Sequence, residues 1–256
     1  MASTATTLSR EAEAFFDAIQ HTAPGVVSAC AGWTAHEVTA HLAATAAEVT
    51  RHLRPYLSGD PVPRTRTFEE REPAYRALDP AGLHRRLESE ERAMRSVVDE
   101  VLAVEPGAVI PWTGRRMAVA KFPPHLRNEF AVHRWDIAGD DDTSHELLAR
   151  PELTAHAVEV LGEILLRRGR PDDPRPDERL GVRLRAPGAA DLRLVVDGGR
   201  AGLELADRPG DEPYLEMDAA ARTLVIWGRR PDPRGRVRSH ADQPTLARVQ
   251  ALLAGY

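Results

Sequence analysis

Apolar residues recur at helical spacing through the first half of the chain and alternate with polar ones in part of the second. Leu8, Ala12, Phe15, Phe16 and Ile19 share one helical face, and the 21–32 stretch, with Pro24 and Gly25, interrupts the pattern. Thr34 with Glu37 three residues later spells a capping box, and Trp33 sits at the staple position, so a second helix starts there. Its inward stripe is Val38, His41, Leu42, Thr45, Val49 and Leu53, and it is expected to stop near Pro55, which has no N–H for the ladder. Residues 58–73 are rich in Pro, Arg and Glu without periodicity and read as a connecting loop. Asp79-Pro80 combines an N-cap with proline at the first helical position, and Leu83, Leu87, Met94, Val97, Val98 and Val101 mark a long third helix. Residues 109–122 read as a linker. Pro123-Pro124 then opens a fourth helix through Leu126, Phe130 and Ile137 to Gly139, and a further helix spans roughly 146–168.

A tract rich in Pro, Asp and Arg at 170–179 has the composition of a domain boundary. Beyond it, Leu180/Val182/Leu184, Leu192/Leu194/Val196 and Leu203/Leu205 alternate with polar residues between Pro-Gly and Gly-Gly turns, as hairpin strands do. Helical pieces return at 218–227, with Asp218 as N-cap, and at 244–253. The pattern therefore predicts a helical domain over residues 1–170 and a small α+β domain over 180–256.

Composition narrows the function. At 256 residues and 42% hydrophobic, the chain can bury its own cores, and a formal net charge of -5 provides no basic field to draw in nucleic acid or an anionic membrane. Cys30 is the single cysteine, which excludes an internal disulfide, a multi-thiolate zinc site and a Cys-x-x-Cys redox motif. No run approaches the roughly 18 apolar residues of a membrane span, and residues 1–10 are polar, so the expected compartment is the cytoplasm. Lys121 is the one lysine among 34 Lys+Arg, a bias toward arginine that reads as GC-rich coding.

Glu129 and His133, at i and i+4, stand one above the other on the fourth helix, and His41 lies within the stripe of the second. Facing one another across a bundle, they form an N/N/O set suited to a divalent metal with an open position, and Asp136 could orient an imidazole from behind. Spacing alone does not single them out, because Glu48 and His52 repeat the same interval on the second helix. His21, His84, His145, His156 and His240 read as surface or capping residues, and Cys30 as structural. No dinucleotide fingerprint, P-loop or nucleophile elbow is present.

Gly32-Trp33-Thr34 running into Val38-Thr39-Ala40-His41-Leu42-Ala43, with the 128–136 segment Asn-Glu-Phe-Ala-Val-His-Arg-Trp-Asp, resembles the mycothiol-dependent maleylpyruvate isomerase family. The 218–231 segment, with Trp227-Gly228-Arg229, is similar to that family's C-terminal domain of sterol-carrier type; the stretch after Arg236 lacks the Gly-Asp often found there. The resemblance implies an N-terminal DinB-like four-helix bundle with a small C-terminal α+β domain. It implies His41, Glu129 and His133 as ligands of a divalent metal, zinc above all, with Glu48/His52 left as a helix-surface pair. It further implies mycothiol as thiol cosubstrate, an actinobacterial source, and Arg71 and Arg229 as holders of the acidic substrate or the thiol. The activity implied is cis-trans isomerisation of, or S-transfer to, a small acidic electrophile such as a maleylpyruvate-like acid. The rivals are a non-catalytic metal-binding bundle serving as a ligand-binding or regulatory module and, more remotely, a metal-dependent hydrolase.

Overall fold

A computed structural model of the chain describes residues 8–167, 174–206, 208, 210–231 and 236–253. By its contacts the chain divides into two compact units, up to Gly139 and from Asp140 onward.

The first unit is built on four long helices. α1 (Arg10–Gln20) begins where Ser9 Oγ accepts the Ala12 N–H, and buries Ala12, Phe15 and Ile19. α2 (Ala35–Leu57) starts at the expected capping box, with Thr34 and Glu37 satisfying each other's backbone N–H groups. It runs past Pro55 for two residues: proline forfeits one ladder bond, but the Ser58 N–H closes the turn on the Arg54 and Pro55 carbonyls. α5 (Pro80–Val104) is capped by Asp79 and packs along α2, while α6 (Phe122–Ala138) packs against α1 and α2. Two prolines occupy the first turn of α6, where backbone N–H groups have no ladder partner. Both faces of α6 are buried, with Phe130 against Phe15 at 5.5 Å on the α1 side.

Two connections hold structure that hydrophobic period could not reveal, because each element is only four residues long. The 58–73 stretch and its continuation contain α3 (Phe68–Arg71) and α4 (Pro73–Arg76). The 109–122 linker is mostly a hairpin of β1 (Val109–Trp112) and β2 (Arg115–Ala118). Thr113 and Gly114 turn it with φ of 47° and 79°, the doubly left-handed backbone of a tight two-residue hairpin loop.

In the second unit, α7 (Asp142–Leu148) and α8 (Pro151–Arg167) precede β3 (Arg179–Arg185), β4 (Leu192–Asp197), β5 (Arg200–Leu205), β6 (Tyr214–Met217), α9 (Ala219–Ile226), β7 (Val237–Ser239) and α10 (Gln243–Leu252). The sheet order is β5-β4-β3-β6-β7, antiparallel except for β3–β6. The register sets Val182 opposite Leu194 and Leu194 opposite Leu203, so the alternating apolar residues stack into one buried layer. The boundary expected at 170–179 therefore lies earlier. α8 packs on β5 so closely that a Cβ on Gly162 would sit 3.2 Å from the Leu203 carbonyl, and α7 packs on α9. Compositional change marked a connection inside the second unit, of which 168–173 fall outside the described residues. Among the described residues no helix is long and apolar enough to cross a membrane.

Candidate metal centre

His41 on α2 faces Glu129 and His133 on α6, all three at least nine-tenths buried. His41 Nε2 lies 3.5 Å from Glu129 Oε2, and His133 Nε2 lies 3.3 Å from the same oxygen. Metal bonds of 2.0–2.1 Å in a tetrahedron put neighbouring ligand atoms about 3.3 Å apart, so these separations fit a divalent ion of zinc's size. The donor set is two imidazoles and one carboxylate, leaving a coordination position for an exogenous group. Burial pushes the Glu129 carboxyl up, but the ring nitrogens of His133 and His41 beside it outweigh that and hold it well below the ordinary carboxylate range. For His133, burial works downward, and contacts with Asp136 and Glu129 raise it on balance.

Each of the two candidate ligand histidines has a carboxylate behind it. Asp136 Oδ2 takes the His133 Nδ1–H at 2.8 Å from one turn along the same helix. Glu72 Oε1 takes that of His41 at 2.7 Å, from the junction of α3 and α4. Trp33 and Phe68 wall the imidazoles, with ring centroids 5.0 and 5.1 Å from His41.

The 64–76 segment runs antiparallel along a buried polar stripe of α2 formed by His41, Thr45, Glu48 and His52. Glu72 meets His41, Arg71 Nη2 donates to Thr45 Oγ1 at 3.1 Å, Arg66 donates to Glu48, and Thr65 meets His52. Arg71 is 6% exposed, stands over the Phe68 ring at 4.9 Å, and its Nε has no hydrogen-bond partner. Desolvation lowers its pKa against the pull of Glu72, Glu48 and Glu129. The cluster thus has a buried guanidinium beside it.

The structure brings His41, Glu129, His133, Asp136 and Arg71 together. Arg229 belongs to the second unit, just past α9, where Gly228 turns with φ of 76° and the Arg229 N–H closes on the Leu224 carbonyl at 2.9 Å. Its Nη1 donates to the Trp227 carbonyl at 3.0 Å, and it borders a cavity of about 350 Å³ lined by Leu215, Val225, Val249 and Leu253.

Two readings change. Glu48 and His52 are fully buried, because the hairpin and the 64–67 segment cover that face of α2. His156 is buried too, on α8, which packs against the sheet and α9. The Cys30 sulfur lies within 4.8 Å of a ring nitrogen of His133 and a carboxylate oxygen of Asp136. Sequence reasoning missed Glu72, Phe68 and His125. His125 Nε2 lies 3.6 Å from Glu129 Oε1, and its spacing four residues before Glu129 was the available signal. Glu72 offered none, since it reaches His41 from 31 residues away.

The family model described as the mycothiol maleylpyruvate isomerase N-terminal domain matches residues 5–138. Two crystal structures of the mycothiol-dependent maleylpyruvate isomerase, one of a histidine-to-alanine mutant, share the fold. They have TM-scores of 0.61 and 0.60 at 16% identity, and each match covers 90% of this chain and 88% of the other. No curated protein matches the chain in sequence.

Proposed function

The chain belongs to the mycothiol maleylpyruvate isomerase N-terminal domain family, and from that premise we propose that it is a metal- and mycothiol-dependent enzyme isomerising a small acidic electrophile of the maleylpyruvate kind. The observation that carries the reading is the convergence of His41 Nε2, Glu129 Oε2 and His133 Nε2 inside the matched domain.

His41, Glu129 and His133 would hold the ion. A divalent metal there supplies a Lewis acid that lowers the pKa of a bound water or thiol, making a nucleophile available at neutral pH. Asp136 and Glu72 orient the two imidazoles from the Nδ1 side. Trp33 and Phe68 exclude water from the ligand rings. Arg71, buried with an unused Nε, binds a substrate carboxylate and stabilises the enolate-like charge that develops when the thiolate adds to the conjugated double bond. After rotation about the resulting single bond, collapse of the enolate breaks the new C–S bond, returning the thiolate and leaving the isomerised acid. The cysteine content agrees with a sulfur that arrives on a diffusible thiol.

The test is metal analysis of the purified protein, followed by an assay of maleylpyruvate isomerisation with mycothiol, with glutathione and without thiol. Stoichiometric metal and turnover only with mycothiol are expected. Metal-free protein that neither takes up zinc nor turns over would overturn the reading, and metal retention without any thiol-dependent turnover would favour the non-catalytic metal-binding bundle.

A further inference from the structure

The two ligand histidines are oriented by unlike means. Asp136 is delivered to His133 by the helix both share, at i+3, so forming α6 already brings the pair together. Glu72 is not on α2. It sits between two four-residue helices, followed by Pro73, and its carboxylate is buried with 1% of the residue exposed. One oxygen takes the His41 Nδ1–H at 2.7 Å, and the other takes Arg76 Nη2 at 2.7 Å and Nε at 3.2 Å. Arg76 is tied down in turn. Its Nη1 donates to Glu37 Oε1 at 2.7 Å, its guanidinium lies 5.4 Å from the Trp33 ring centroid, and its carbonyl meets His36 Nε2 at 3.0 Å. Glu37 is the capping-box residue that starts α2.

A carboxylate only accepts, so the His41 nitrogen facing Glu72 carries the proton, and in the neutral ring the lone pair is left on Nε2. Nε2 is the atom beside Glu129. We infer that Glu72, clamped by Arg76, is a positioning residue of the metal centre, holding His41 in the Nε2-ligand tautomer and coupling that centre to the cap of α2. This rests on the metal reading given above. The same contacts could have a merely mechanical use, pinning the 68–76 segment to the bundle, and the two roles separate in metal affinity.

The experiment uses the full-length protein and its Glu72→Gln and Arg76→Met variants, with Zn2+ titrated against a chromophoric chelator, the absorption spectrum of the Co2+-loaded protein, and urea unfolding of the metal-free protein. Glu72→Gln is expected to weaken Zn2+ binding by about 10–100-fold and to shift the Co2+ bands. Arg76→Met should do the same by several-fold, and it carries the test should Glu72→Gln fail to fold. Unchanged Zn2+ affinity and an unchanged Co2+ spectrum, with only a lower urea midpoint, would reduce Glu72 to a mechanical pin and overturn the inference while leaving the metal reading intact. Failure of the unaltered protein to bind either ion would overturn both.

Discussion

Glu129/His133 on α6 and Glu48/His52 on α2 share spacing, residue types and burial, yet their surroundings make them chemically opposite. Glu48 is saturated by arginine: Arg51 Nε and Nη2 donate to it at 3.0 and 2.6 Å, and Arg66 N and Nε at 2.7 Å each. The His52 ring has both nitrogens engaged, Nδ1 donating to the Glu48 carbonyl at 2.8 Å and Nε2 taking the Thr65 hydroxyl at 3.3 Å. Burial pushes that imidazole's pKa down. Glu129 instead has imidazoles around it, and the Nε2 atoms of His41 and His133 point at its oxygen rather than at a hydroxyl. A Glu-x-x-x-His interval on a buried face thus specifies proximity only. Which side chains the rest of the fold brings to the carboxylate decides between a structural ion cluster and a ligand set.

The largest expected effect breaks the comparison outright. His133→Ala removes one of the three proposed ligands and should cut metal affinity beyond the roughly 100-fold that an outer-shell partner reaches, while His52→Ala keeps full metal content and loses stability instead. Metal analysis after dialysis, paired with urea unfolding, checks both arms. Equal metal loss in the two variants would erase the distinction.

Next is the arginine-saturated carboxylate. Its neighbours act against one another: burial pushes Glu48 up, and the hydrogen bonds from Arg51 and Arg66 overcome that and hold it at about 2, against an ordinary 4.5. A shift of that size corresponds to about 3 kcal/mol, and to about 2 once the partial exposure of both arginines is allowed for. Since the folded value is the lower one, this stabilisation is complete above about pH 4.5 and is lost as pH falls toward 2. Glu48→Gln should therefore lower the unfolding free energy by about 2 kcal/mol at pH 7, narrow that gap at pH 3, and leave Zn2+ binding unchanged.

How much of this was legible beforehand follows element length and sequence distance. The four long helices announced themselves through caps and stripes, Thr34/Glu37 and Asp79-Pro80 above all, and the central strands through alternation around Leu194. The 64–76 segment did not, because four-residue helices carry no period and their contacts to α2 are tertiary. That segment supplies Glu72, Arg71, Arg66 and Thr65, the side chains that separate the two Glu/His pairs. His41, Glu129 and His133 were legible as candidates, whereas the reason Glu48/His52 differs lay in residues that sequence pattern left as loop. The domain boundary was misplaced for a related reason: Pro-rich composition marks any exposed connection, and only packing shows that α7 and α8 belong with the sheet.

Arg71 sharpens the contrast from the ligand side. Its guanidinium donates to the neutral Thr45 hydroxyl and keeps a buried Nε unpaired, where Arg51 and Arg66 spend theirs on a carboxylate. Arg71→Met should thus leave the stability of the ligand-free protein unchanged or slightly raised, since a desolvated charge is removed. It should weaken binding of a small dicarboxylate such as maleate by about 10-fold, measured by titration calorimetry on the metal-loaded protein. A stability loss as large as that of Glu48→Gln would mark Arg71 as another structural arginine.

The smallest effect probes the closed end of the polar stripe. Thr65 Oγ1 accepts the Thr113 N–H at 3.0 Å and donates to His52 Nε2, so one hydroxyl joins α2 to the hairpin turn. Thr65→Val keeps the shape and removes both bonds. The Thr113 amide is exposed and can turn to water, so its loss costs little; His52 Nε2 is fully buried and would be left without its donor. About 1 kcal/mol of stability should disappear, with faster hydrogen exchange at the 113–114 turn and no change in Zn2+ affinity. Were Thr65→Val instead to endow the His52 region with metal binding, the freed Nε2 lone pair and Glu48 would be acting as ligands. The hydroxyl, rather than the arginines, would then be what keeps this second Glu/His pair from becoming a metal site.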